Sequence, residues 1–247
     1  MSTLELGIPG TTVEEMSSPQ LRHTKSVEYF ASLANGIYGP KNLLDVGCGN
    51  GTITTKIRQV LGLGAVDGVD LLAGKLDVPS WLRMKYADFD KDKLPYADSS
   101  FDAVYCGEVV EHLYNPDNLL SEIHRVLSPT GVCLITTPNL GSWYNRIVVL
   151  LGYQPCSISA SFYHENVGKM INIVGHRGHI RGFTLRALKE LLKIHNLEPI
   201  KVMGWNMGVS ETYLSNPIIQ YPAFAVDTVL SRVPSLAARI AVAVKKE

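Results

Sequence analysis

Asp45-Val46-Gly47-Cys48-Gly49-Asn50-Gly51 is the stretch of this 247-residue chain whose residue types and spacing point most directly to chemistry. Three glycines at alternate positions follow Leu43, Leu44 and Val46, so a short apolar strand passes straight into a turn whose backbone a ligand can approach closely. From Thr52 toward Leu61 a helix is expected, and the free N–H groups of its first turn point back at the glycines and favour negative charge there. Two details restrict the ligand. In a dinucleotide-binding turn, G-x-G-x-x-G, the third glycine would stand where Thr52 is. Asp45, two residues ahead of the first glycine, repels a pyrophosphate but suits a ligand that carries an ammonium group beside its own carboxylate, as an amino-acid moiety does. There is no Lys or Arg between Asn42 and Thr55, which disfavours a polyphosphate and suits a sulfonium, and the absence of a following Gly-Lys-Ser/Thr excludes a Walker loop.

This stretch resembles motif I, D-x-G-x-G-x-G, of the class I S-adenosylmethionine-dependent methyltransferases. The resemblance implies an α/β, Rossmann-like, doubly wound and mostly parallel seven-stranded sheet with an antiparallel last strand. It also implies S-adenosyl-L-methionine as cofactor, bound around Asp45, Gly47, Cys48 and Gly49. The chain beyond fits the same pattern. Ala65–Leu71 reads as a second parallel strand ending in Asp70, 23 positions past Gly47 (70 − 47) and close to the offset of about 20 at which a carboxylate meets the ribose hydroxyls of an adenine nucleoside, with a turn or helix cap as the alternative role. Leu71 follows it at the cofactor. A third strand near Arg83–Ala87 leads to Asp88 and Phe89, which match the family's acceptor for the adenine amino group and its cover for the ring. Asp90 and Asp92 compete for the first role, and a solvated acidic loop is the alternative. Ser99–Cys106 is strand four, with Phe101 as a core anchor and Asp102 structural at the strand entry.

Strand four delivers Gly107-Glu108-Val109-Val110-Glu111-His112-Leu113 to the end of the sheet where ligands of open parallel sheets sit. Glu108 is expected to line the cofactor pocket. The Glu-His-Leu ending resembles methyltransferases of small molecules, among them those of quinone biosynthesis and of glycan and natural-product pathways. His112 is then the first catalytic candidate, as acceptor of a hydroxyl proton, with a loop-orienting hydrogen bond as the alternative role. Asn115-Pro116-Asp117 reads as a helix start with Asn115 as N-cap, and Leu119, Leu120, Ile123, Val126 and Leu127 face inward. Strand five is Val132–Thr137.

Residues 138–182 break the compact alternation and read as a substrate cap inserted after strand five. The segment interleaves Trp143, Tyr144, Tyr153, Phe162 and Tyr163 with Arg146, Lys169, Arg177 and Arg181, a mix that suits a flat or apolar substrate bearing a negative group. Gly178–Thr184 resembles the entry to the helix after the cap in the quinone-type enzymes, which makes His179 the second catalytic candidate. His176-x-x-His179 with His164 or Glu165 is too loose a spacing to carry a metal site, and none is expected. A helix from Thr184 to Asn196, a strand Pro199–Trp205, a helix near Ala223–Arg232 and a final strand Arg239–Lys245, antiparallel beside strand five, complete the pattern.

The length suits a single domain over residues 1–247, with 1–19 loosely ordered. Lys plus Arg and Asp plus Glu are both 23, so no bulk charge attracts nucleic acid or an anionic membrane. Cys48, Cys106, Cys133 and Cys156 form no C-x-x-C pair and read as reduced core residues of a cytoplasmic protein. No signal peptide and no transmembrane span is expected, and peripheral membrane contact through the Trp143–Tyr153 stretch would need a strong polar face that is not evident. The oligomeric state is not encoded in any recognisable feature. The expected activity is methyl transfer from S-adenosylmethionine to a small-molecule acceptor, with oxygen as nucleophile. The alternatives are a non-catalytic subunit that binds the same cofactor and a nicotinamide-dependent oxidoreductase, the latter opposed by Asp45 and Thr52.

Overall fold

A computed structural model of the chain describes residues 19–36, 39–164, 166–170, 178–206 and 225–247. The apolar runs read from the sequence become the strands β1 (Leu43–Val46), β2 (Val66–Asp70), β3 (Leu82–Tyr86), β4 (Phe101–Gly107), β5 (Leu127–Pro138), β6 (Leu197–Trp205) and β7 (Arg239–Lys246). They form one sheet in the order β3-β2-β1-β4-β5-β7-β6. β1 pairs parallel to β2 and β4, β2 to β3 and β4 to β5, whereas β7 runs antiparallel between β5 and β6. The strand order therefore reverses between β1 and β4, and a crevice opens beyond their carboxyl ends.

Both faces of the sheet are covered, which is why its inner strands read as apolar runs without alternation. On one face α1 (Pro19–Asn35) and α2 (Thr52–Leu61) bring Val27, Phe30 and Ile57 against Leu43, Ala103, Tyr105, Leu134 and Ala243. On the other, α3 (Pro116–Val126) and α5 (Leu185–Ile194) bring Leu119, Leu120, Ile123, Leu188 and Leu192 against Leu44, Val104, Cys133, Ile135 and Val242. The alternate residues of β4 divide between the two clusters, as the strand's period of two requires. All four cysteines are free and buried.

Several local expectations change. Asn115 precedes α3 but does not cap it: its amide and side chain are bonded to Asp90, while Pro116 opens the helix. Thr184 does cap α5, its hydroxyl accepting from the Ala187 N–H. The connection from β2 to β3 carries turns and no helix. Asp102 is structural as expected, its Oδ2 accepting from the amides of Lys41 and Asn42 and so fixing the entry to β1. Among its described residues, the segment after β5 contains one helix, α4 (Trp143–Leu150). The expected loose N-terminus, His176, Arg177, Glu165 and most of the connection before the last helix lie outside the described residues, and that helix itself is seen over 225–230.

Leu120 on α3 is fully buried. Leu120→Ala should lower unfolding free energy by about 2–5 kcal/mol in urea titration, because the neighbouring strands cannot close the cavity it leaves.

Candidate active site

The first half of the candidate site is built on the turn after β1. Gly47, Gly49 and Gly51 all adopt positive φ, +75°, +52° and +81°. A Cβ at Gly47 would come within 2.5 Å of Val109, so the bare backbone there is what lets the end of β4 pack against the end of β1. A Cβ at Gly49 would meet nothing within 4 Å, which leaves its backbone facing open space that a ligand can occupy. Asp70 ends β2 as expected and closes the turn. Its Oδ2 accepts from the Gly49 N–H at 2.9 Å and its Oδ1 from the Leu72 N–H at 2.8 Å. Each oxygen keeps a further lone pair for a hydroxyl donor. Leu71 and Leu72 stand beside it with roughly half their surface exposed.

Asp45 is placed differently from a surface carboxylate. It is 2% exposed and its Oδ2 accepts from the Thr54 hydroxyl at 2.6 Å, which ties β1 to the first turn of α2. Burial pushes its carboxyl up to about 7, against the lowering effect of the Thr54 hydrogen bond and with a further push from Asp70. Cys48 is buried beneath the turn against Gly68, and burial raises its thiol to about 12, so it is an inert thiol. Asp88 and Phe89 follow β3, the strand next to β2. Asp88 is paired with Lys91 at 3.0 Å and accepts from the Asp90 amide, and Phe89 is packed in the core with Val109 and Leu113. The acidic loop thus closes on itself and on Asn115 and Asn118.

Across the crevice, Glu108 ends β4 at a positive φ of 58°. Its carboxylate pairs with Arg239 of β7 and accepts from the Thr136 hydroxyl at 3.0 Å. The next residue of β5, Thr137, donates to Glu111 Oε2 at 3.0 Å, so two adjacent threonines hold two carboxylates three residues apart. Glu111 was missed in the sequence. It is 1% exposed, burial pushes its carboxyl up to about 7, and its Oε1 has no hydrogen-bond partner among the described residues. The only signal was its place beside His112, and Glu in a Glu-His pair reads equally well as a surface residue.

His112 and His179 are brought together. Their rings meet edge to face with centroids 4.7 Å apart. His112 Nδ1 bonds the Gly178 carbonyl at 3.0 Å and His179 Nδ1 bonds the Ser157 carbonyl at 3.2 Å. Burial lowers the His112 imidazole below its usual value, and burial with the neighbouring His112 lowers His179 to about 4. Both rings are therefore neutral near pH 7.

Backbone hydrogen bonds hold the cap segment to the short turn Val110–His112. The amides of Ile180 and Arg181 both donate to the Glu111 carbonyl at 3.0 Å, and Arg181 donates to the Leu113 and Tyr114 carbonyls. A buried polar chain reaches the same place from β5. Asn145 of α4 donates to the Asn139 carbonyl and to Ser157, the residue that carries the His179 partner. The cleft of about 410 Å³ between α1 and the end of β6, lined by Lys25, Tyr29, Trp205 and Arg232, contains none of these residues.

A methyltransferase-domain family profile matches residues 22–202. The chain belongs to this family, the class I S-adenosylmethionine-dependent methyltransferases. Similar proteins include the ubiquinone biosynthesis O-methyltransferase of Actinobacillus pleuropneumoniae serotype 7, 31% identical over 125 residues that cover 46% of this chain and 52% of that one. Another is the ubiquinone/menaquinone biosynthesis C-methyltransferase of Desulfotalea psychrophila, 31% identical over 106 residues, 40% and 43% of the two chains. The chain thus spans about half the length of the curated relatives it matches. Among solved structures, an S-adenosylmethionine-dependent methyltransferase of Mesorhizobium loti superposes with TM-score 0.56 at 17% identity, covering 89% of this chain and 96% of that one. The Burkholderia thailandensis 1,6-didemethyltoxoflavin N1-methyltransferase, which holds S-adenosylhomocysteine, gives 0.52 at 15%, covering 90% and 78%. At these identities the two structures speak for the fold.

The residues present fit the methyltransferase cofactor, S-adenosylmethionine. The open backbone at Gly49, the Asp70 carboxylate with lone pairs to spare and the exposed Leu71 suit a nucleoside, and the buried Asp45 carboxyl suits a cationic ligand. Asp70→Ala should weaken S-adenosylmethionine binding by roughly 1.5–3 kcal/mol, about ten- to a hundredfold by calorimetry, since it removes a charged acceptor of two hydroxyls. Asp45 gives a pH signature. Its folded-state pKa lies above the unfolded value, so its contribution is full below about 4 and is lost as pH rises to about 7. Urea titrations of the ligand-free protein should therefore show wild type losing stability between about pH 4 and 7 relative to Asp45→Asn.

Proposed function

We propose that this methyltransferase moves the methyl group of S-adenosylmethionine to a hydroxyl of a small aromatic molecule. The observation that carries this reading is the juxtaposition across the β1–β4 crevice. Val109 touches the backbone of Gly47 on the donor side, and the turn that begins at Val109 presents His112, against His179, on the other. Donor and acceptor would thus be held within one turn of each other, and positioning of that kind is the main need of a displacement at a methyl carbon.

The cofactor, when bound, supplies a methyl group made electrophilic by its attachment to a sulfonium. The acceptor oxygen forms the new C–O bond, the C–S electron pair stays on sulfur, and the hydroxyl proton is lost. His112 and His179 are the catalytic residues of this proposal, meeting the acceptor oxygen with Glu111 behind them. Each Nδ1 faces a backbone carbonyl, so each ring carries its lone pair on Nε2. The cap, residues 138–182, is assigned to the acceptor. It leaves Ile147, Val149, Leu150 and Leu151 exposed on and just after α4, a face that suits an acceptor drawn from an apolar phase or peripheral contact with one. Among the described residues no helix is long and apolar enough to cross a membrane. Four free cysteines and balanced charge support a reducing compartment, the cytoplasm, and oppose nucleic acid as substrate.

The test is a panel of phenols, catechols and quinols set against amines and carbon acids, with isotopically labelled methyl donor and mass detection of the product. Transfer to at least one hydroxyl is expected. Transfer confined to nitrogen or carbon, or cofactor binding without turnover on any member, would overturn it.

A further inference from the structure

The unpartnered oxygen of Glu111 is the least explained feature of the site. A buried carboxylate oxygen without a donor is costly, and buried charge is normally compensated. Among the described residues no proton donor stands against it. Thr137 takes the other oxygen, and the amides of Ile180 and Arg181 go to the main-chain carbonyl of the same residue. What stands near it is a pair of imidazoles. One donor atom each from Glu111, His112 and His179 lie within 4.8 Å of one another.

We propose that Glu111, His112 and His179 form a binding site for one divalent transition-metal ion, which holds the methyl acceptor through its oxygen. The first half stands on the geometry of the site alone, and the second rests on the methyl-transfer reading above. Three features shape it as a ligand set. With each Nδ1–H given to a backbone carbonyl, Gly178 for His112 and Ser157 for His179, the lone pair of each ring is on Nε2, and this outer hydrogen bond fixes ring orientation as it does for metal-bound histidines. The Thr137 hydroxyl does the same for the carboxylate, leaving Oε1 as the ligand atom. The main-chain bonds from Ile180 and Arg181 to Glu111 join the two segments that supply the ligands, so the set is assembled before an ion arrives.

Ligand type selects the ion. Two imidazoles and one carboxylate favour Zn²⁺, Fe²⁺, Co²⁺ or Mn²⁺ over Ca²⁺, which takes oxygen ligands, and Mg²⁺, which keeps its waters. Three protein ligands leave at least one position open, the pattern of a metal site that works on a substrate. A hydroxyl bound there gives its proton to solvent more readily because the ion stabilises the oxygen anion, and the anion then attacks the methyl carbon while the metal is unchanged. The histidines serve as ligands in this account, and the ion takes over the removal of the acceptor's proton.

Tag-free protein treated with chelator and then titrated with Co²⁺ tests the site, read by visible absorption and by equilibrium dialysis. Binding of one Co²⁺ per chain is expected. Glu111→Gln, His112→Gln and His179→Gln should each weaken it at least about tenfold while S-adenosylmethionine affinity, which reports an intact fold, stays unchanged, and His124→Gln on α3 should leave cobalt binding as it was. No saturable site, or a site indifferent to all three substitutions, would overturn the proposal. Neither cofactor nor acceptor is needed for this measurement. Cobalt bound at these residues without methyl transfer to any acceptor would keep the metal site and remove the methyl-transfer reading. Methyl transfer unaffected by chelation, in a chain that binds no cobalt, would do the reverse.

Discussion

Val109 lies on the backbone of Gly47, and a side chain of even one carbon at Gly47 would occupy the place of its methyl group. The rest of the site depends on this approach. It brings the glycine turn after β1 and the turn that carries Glu111 and His112 to the two sides of one crevice. The sheet order makes the crevice, because β1 and β4 are neighbours whose chains depart in opposite directions. The missing side chain sets its width. Positive φ at Gly47 and at Glu108 then turns both segments away from their strands immediately, so that neither runs on over the other.

Two buried carboxyl groups flank that contact, and they share a physical condition. Asp45 lies under the donor turn and Glu111 under the acceptor turn, both nearly without solvent exposure and both pushed up to about 7 by burial. Each is held by one threonine hydroxyl, Thr54 or Thr137. In a region of low dielectric such groups favour positive charge nearby more than a surface carboxylate does. On the reading proposed above, the cofactor would bring positive charge to the first and the metal ion to the second. Glu108, between them, already has its cation in Arg239.

The glycine turn was legible in the sequence because backbone geometry dictated residue type. Asp45, Gly47, Gly49 and Asp70 stand at fixed distances around a turn that few other residues can make, and the seven strands followed from apolar runs covered on both faces. The acceptor side was legible only in part. His112 and His179 were singled out, yet their meeting depends on a fold-back of residues 178–181 that no local pattern announces. Asn145 carried no signal and Glu111 none beyond its place beside His112, since their importance comes from burial and from partners far along the chain. Asn115 shows the opposite error. Its type and its place before Pro116 suit a cap, but Asp90 competes for its side chain and backbone and wins. Asp88 and Phe89 match a family pattern by position, and local pairing and core packing account for where they sit.

His179 reaches the site on a segment tied down by Glu111 and by the Asn139–Asn145–Ser157 chain, and none of these bonds touches the glycine turn. Inheritance can act on the two halves separately. On the reading proposed above, a lineage could lengthen, shorten or recolour the insertion between β5 and α5, and so exchange one acceptor for another, while the glycine turn passes down unaltered.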